Sequence, residues 1–139
     1  MVMEMIVVDT VAVLVAGIAA FVVGMIWYSP MLFGKQYMKM VGMTEKEMKA
    51  GKSRMMPMMI QTLVISIITA YVFAHILGFS GAATLMEGIL GAFWVWLGFF
   101  ATTHYLGVLY ERKSMQMWFI QAGYSLVSLV AMALVFMYM

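Results

Sequence analysis

No cysteine occurs in this chain, which removes disulfides, thiolate metal sites, haem attachment and cysteine nucleophiles together. Charge is scarce as well. Charged residues make up 10% of the 139 positions and hydrophobic ones 65%, against about 25% and about 45–50% in ordinary water-soluble domains. A small soluble domain exposes much surface for its volume, and so few charges cannot cover it. With only 2 prolines and a mean hydropathy of +1.00, collagen-like and disordered classes are excluded too. A net charge of +2 is too small to point to nucleic acid. What remains is a polytopic membrane protein.

The apolar runs fix its organisation. Four spans are expected at about 10–29, 57–78, 85–110 and 115–138, each long enough to cross a bilayer as a helix. Ser29-Pro30 ends the first, because the residue before proline is pushed out of helical geometry. Glu4 and Asp9 precede that run where a cleaved signal peptide would carry basic residues. Pro57 suits the first turn of helix two. Between the first two spans, residues 31–56 form a polar connector in which Thr44 and Glu47 fit a capping box. Met38, Val41 and Met48 give that connector an apolar side for a membrane surface. Ser114 is expected to cap helix four. The fold class is therefore all-α, an integral membrane four-helix bundle in a single domain covering residues 1–139.

All 8 Lys and Arg lie in the first and third connections. The positive-inside rule makes both connections cytoplasmic and both termini external.

Small residues mark the packing faces. Helix two carries Thr62, Ser66, Ala70, Ala74 and Gly78 at four-residue spacing, and helix three offers Gly88, Gly91, Gly98 and Thr102. Without a hydrophobic drive between helices in lipid, close approach over small residues is what holds them. More such surface is present than one small bundle must bury. The expected function is accordingly a non-enzymatic structural or assembly protein that self-associates or joins a larger membrane assembly, with membrane lipids as its other partners. The alternative is a small transporter or channel for a small solute or ion, lined by Gln61, Thr62, Ser66, Thr69, Gln121, Ser125 and Ser128 between helices two and four.

Site chemistry is thin. No Asp, Glu, Lys or Arg stands in the middle of a span, where a charge costs about 2.5–3.5 kcal/mol, which argues against a carboxylate-based pump. His75, Glu87 and Asp9 fall near one end of the bundle and are weak candidates for a cation site. Methionine is abundant, 19 of 139 residues. The Met1/Met3/Met5 tail offers soft thioethers suited to Cu(I), although methionine is also a flexible apolar filler. An enzyme would have to rest on His75 or His104 with Glu87 or Glu111, and no nucleophile triad, phosphate loop or zinc motif is present. No catalytic residue and no cofactor is expected.

The block Trp27-Tyr28-Ser29-Pro30-Met31-Leu32-Phe33-Gly34-Lys35, with Gly42 after it, resembles the signature of a family of small bacterial and archaeal membrane proteins known as domain of unknown function seventeen sixty-one. Leu97-Gly98-Phe99, Leu109-Tyr110-Glu111-Arg112 and Tyr124 extend the resemblance, while Tyr37 stands where many relatives carry tryptophan. The resemblance implies a four-helix integral membrane fold and brings no substrate, cofactor or catalytic residue. Read physically, Trp27 and Tyr28 set a helix depth, Ser29-Pro30 break the helix, Phe33 re-enters the interface and Gly34 permits the turn.

Overall fold

The computed structural model describes residues 8–42 and 44–139. Met1, Met3, Met5 and Glu4 lie outside the described residues, as does the side chain of Met48. Seven α-helices follow in chain order: α1 (Thr10–Trp27), α2 (Gly34–Val41), α3 (Glu45–Ala50), α4 (Lys52–Ser80), α5 (Leu85–Val95), α6 (Thr102–Tyr110) and α7 (Met115–Tyr138). A π-helical turn, Trp96–Ala101, joins α5 to α6. No strand occurs among the described residues. Among the described residues four helices are long and apolar enough to cross a membrane: Thr10–Trp27, Arg54–Ser80, Leu85–Tyr110 and Met115–Tyr138.

Side-chain caps set several boundaries. Asp9 accepts the Val11 amide at 3.0 Å at the start of α1, and Thr44 accepts the Glu47 amide at 3.2 Å ahead of α3. Ser114 accepts the Met117 amide at 3.1 Å and starts α7. Each satisfies an amide that the first turn leaves without an intrahelical partner. Gly42 turns the chain with φ 78°, a left-handed conformation that glycine adopts at no steric cost.

One expectation about a helix end needs correction. Helix two begins at Lys52, five residues before Pro57, so the proline stands inside α4 and not in its first turn. It falls in the second turn, where it removes a single intrahelical amide near the frayed end of a 29-residue helix. Helix three is a continuous span in length but not in winding. Its centre relaxes into the π turn, where the Thr102 and Thr103 hydroxyls donate back to the Gly98 and Phe99 carbonyls at 2.8 and 2.7 Å. Hydroxyl back-bonding of this kind competes with the regular ladder and bends helices.

Helix α1 is the axis of the bundle, packed on α4 at one side and α7 at the other, with α5 and α6 against the far face of α7. Val13, Ala16 and Ala20 of α1 meet Ala70, Phe73 and Leu77 of α4 and Leu129, Met132 and Ala133 of α7 in one core, with Ala92 of α5. Close approach is literal at Gly17, where a Cβ would stand 2.9 Å from the Ile67 Cα. This core lies toward the end of the bundle away from the lysines. At the basic end α4 has little to rest on, and Met55, Met56, Met58, Ile60, Val64 and Ile65 are all exposed.

Candidate functional site

The most heavily built part of the molecule is the corner where α1 gives way to α2. The Ser29 hydroxyl donates to the Ile26 carbonyl at 2.7 Å, closing the last turn of α1. The Phe33 amide reaches back to the Trp27 carbonyl at 3.0 Å, and the Gly34 amide to the Ser29 carbonyl at 2.9 Å. Residues 29–33 thus form a tight knot between two helices. Gly34 is buried in it: a Cβ there would run into the Tyr28 carbonyl and stand 2.7 Å from the Ser29 carbonyl carbon. Pro30, Met31 and Leu32 face outward.

The side chains of the knot then lock it to α7. The Trp27 indole N–H donates to the Ile120 carbonyl at 2.9 Å, and its ring lies on Gly123, where a Cβ would come within 2.9 Å of it. Tyr124 repeats the arrangement in the opposite direction, its hydroxyl 3.0 Å from where Gly24 would carry a Cβ. Each helix therefore offers one glycine as a seat for the other's aromatic ring. Phe33 packs on Trp27 at 4.8 Å, and Tyr28 sits edge-on between Tyr37 at 5.0 Å and Tyr124 at 5.5 Å, geometries in which ring edges meet ring faces. Tyr28 lies just past the end of α1, and burial, then Tyr37 and Tyr124, push its phenol well above the ordinary tyrosine range.

Residues 11–137, from the first turn of α1 to the last turn of α7, match the sequence model described as "Protein of unknown function (DUF1761)". The chain belongs to the DUF1761 family. The family's WYSP-x-LFG resemblance thus falls on a corner whose members are spent on one another: Trp27 on α7, Ser29 and Phe33 on the knot, Gly34 on clearance. No curated protein and no solved structure matches the chain.

A second feature lies deeper in this DUF1761 chain. Gln121, Ser125 and Ser128 occupy one face of α7, the two serines buried. Ser125 donates to the Gln121 carbonyl at 3.1 Å and approaches His104 Nε2 of α6 at 3.5 Å. Gln121 Oε1 and the Ser128 hydroxyl are buried without a hydrogen-bond partner among the described residues. Such atoms are costly in a protein interior and rarer still at membrane depth. The other proposed lining residues are elsewhere. Gln61 and Thr62 face outward on α4, while the Thr62 and Thr69 hydroxyls are satisfied by their own helix at 2.8 and 2.9 Å. Among the described residues no hydrogen bond joins these α4 side chains to Gln121, Ser125 or Ser128.

His75, Glu87 and Asp9 each have local work. His75 Nδ1 lies 2.9 Å from the Tyr71 carbonyl and its ring packs on Tyr71 at 4.5 Å. Glu87 accepts the Ala83 amide at 2.8 Å while Thr84 accepts the Glu87 amide at 3.2 Å, a reciprocal capping box. Asp9 caps α1. Among the described residues no three His, Cys, Asp or Glu gather closely enough to hold a metal ion. Glu111, the remaining carboxylate considered for an enzyme, pairs with Lys113 at 3.1 Å.

Among the small-residue positions, Ser66 and Ala70 are buried and Ala74 half-buried. Gly88 seats Met137, where a Cβ would meet its side chain at 2.7 Å, and Gly91 approaches Leu77 at 2.9 Å. Thr62, Gly78 and Gly98 are exposed. Sequence reading missed Gly123 and the role of Trp96, whose indole donates to the Ala122 carbonyl at 2.7 Å. A lone glycine in the middle of an apolar helix was the available signal for the former, since it costs about 1 kcal/mol unless packing uses it.

Proposed function

We propose that this chain is a four-span integral membrane protein of a prokaryotic cell membrane, with both basic connections cytoplasmic, and that it serves as a non-enzymatic assembly subunit associating through the first half of α4. Insertion is supported by helices of 18 to 27 residues that bury only 17–39% of their most apolar windows inside the chain, leaving the rest for hydrocarbon. Aromatic rings at the basic end, Trp27 and Trp118 among them, suit the interface there.

The observation that carries association is Gln61. Its amide is exposed among Met58, Ile60 and Ile65 and has no partner among the described residues. Seven residues past Arg54, it sits about 10 Å along the helix from the basic end. An amide at that depth finds its hydrogen bonds on a neighbouring helix. The small-residue stripe of Ser66 and Ala70 supports α1 instead, so the association surface falls one to two turns earlier on α4 than spacing alone implies.

Because the chain has no cysteine, Gln61→Cys gives a single-thiol probe. Oxidation in native membranes should yield a disulfide-linked dimer, and Gln61→Leu should shift the purified protein toward monomer. A monomer at every concentration with no cross-link would end this reading.

The transport reading keeps one specific observation in its favour, the Gln121 Oε1 and Ser128 hydroxyl that lack a partner among the described residues, on the face of α7 where Ser125 approaches His104. A cysteine at Ser125 or Ser128 that reacts with a membrane-impermeant thiol reagent would support it, and inertness from both sides would argue against it.

A further inference from the structure

The groove between α6 and α7 at the basic end is not used by any part of the fold. Leu97, Ala101, Thr102, Tyr105, Leu106 and Trp118 line about 450 Å³ of it, almost wholly with apolar atoms. Its floor is the end of the π turn, where Trp118 donates its indole N–H to the Ala101 carbonyl at 2.9 Å. That bond turns the one polar atom of the indole inward and leaves the ring as an apolar wall. Leu97 to Leu106 covers nine residue steps, so the lined part of the groove runs roughly 14 Å along the helix toward the α6–α7 turn. It has the length and apolar character of a seat for one extended hydrocarbon chain, and its volume falls in the range of small-molecule sites.

The turn above the groove is charged on balance. Glu111 and Lys113 pair at 3.1 Å. Arg112 stands between them, exposed, without an ion-pair partner among the described residues, and held at φ 58°. A non-glycine residue in that region is uncommon. One guanidinium without an ion-pair partner among the described residues therefore stands in the turn that joins the two helices flanking the groove. Guanidinium is the side chain best matched to a phosphate oxygen pair.

We propose that this groove seats an acyl chain of an anionic phospholipid from the surrounding leaflet, with Arg112 holding the headgroup phosphate. The proposal rests on membrane insertion but not on self-association.

The full chain would be purified in mild detergent, offered phosphatidylglycerol or phosphatidylcholine of identical acyl chains, and the lipid retained read by native mass spectrometry. Phosphatidylglycerol should be retained about fivefold better, the preference expected for one basic residue at an anionic surface. Arg112→Gly, which suits the left-handed backbone, should abolish the preference and keep residual binding of both lipids. Thr102→Trp should lower retention of both, and Leu106→Trp on the opposite side of the groove serves where the first variant does not fold. Equal retention of the two lipids by the unaltered protein, or unchanged retention in a folded groove-filling variant, overturns the proposal. So does a Thr102→Cys disulfide dimer in native membranes, which would give the groove to a second copy. Recovery of folded protein without detergent would instead remove membrane insertion itself, and is scored separately by fractionation before any lipid is added.

Discussion

The Trp27 indole and the Ile120 carbonyl meet at 2.9 Å across 93 residues of chain. This hydrogen bond ties the end of the first span to the beginning of the last, and it does so beside a glycine that lets the ring lie flat on α7. A helix carbonyl already serves its own ladder, so the indole gains a partner at no cost to α7, while the helix pair gains a fixed register.

Trp27→Phe keeps the ring contact and loses the donor. The expected penalty is about 1–2 kcal/mol, the value of one hydrogen bond in a half-buried site. Gly123→Leu should cost more, because its Cβ alone would stand 2.9 Å from the indole and overpacking adds about 1–3 kcal/mol. Thermal unfolding in detergent, followed by tryptophan emission, measures both.

Gly34→Ala should be among the most damaging single changes, since the added Cβ collides with backbone of residues 28 and 29 that the knot holds in place. Gly98→Ala is the matched control. Nothing lies within 4 Å of a Cβ there, and alanine is the better helix former by about 1 kcal/mol. Expression level and melting temperature should fall sharply for the first and stay or rise for the second. Equal behaviour of the two would refute the clearance argument.

Tyr28 predicts a specific sensitivity to base. Its folded-state pKa lies above the unfolded value, so folding favours the neutral phenol. The contribution is whole below pH about 10, the unfolded value, and is lost as pH rises further, because the unfolded chain ionises first. The melting temperature of the unaltered protein should decline more steeply above pH 10 than that of Tyr28→Phe. Identical slopes would show that Tyr28 ionises freely in the folded state.

Glu87 should behave as a capping residue and not as a ligand. Glu87→Gln keeps a group able to accept the Ala83 amide, whereas Glu87→Ala should cost about 0.5–2 kcal/mol. Added chelator should leave all three melting curves unchanged. Divalent-dependent stability lost in Glu87→Ala would restore the cation-site reading.

The four long apolar helices are legible because hydropathy is a bulk property of composition, read off twenty-residue windows without knowing any contact. The caps at Thr44, Thr84 and Ser114 were legible or nearly so, since capping acts over three residues. Thr84 and Glu87 have the same spacing as Thr44 and Glu47, and by sequence alone Glu87 suits a cap as well as a ligand. The start of α4 was misjudged because proline is a helix former at one position and a breaker at others, and only the flanking turns decide which. His104 and Ser125 are 21 residues apart, and nothing in the spacing of either helix specifies their meeting.

What the chain determined by itself is its apolar character and its long elements: 65% hydrophobic residues with 10% charged fall into four apolar runs, separated by two basic connections and one uncharged one, and each run forms a helix long enough to cross a membrane. The order of packing was decided only in three dimensions. Which glycine receives which ring, that α1 lies between α4 and α7, and that the groove above Ala101 stays open all depend on the rotation of each helix about its axis. Rotation is set by steric fit between side chains far apart in sequence, over distances of a few tenths of an ångström, and periodicity along one helix carries no information about its neighbour's surface.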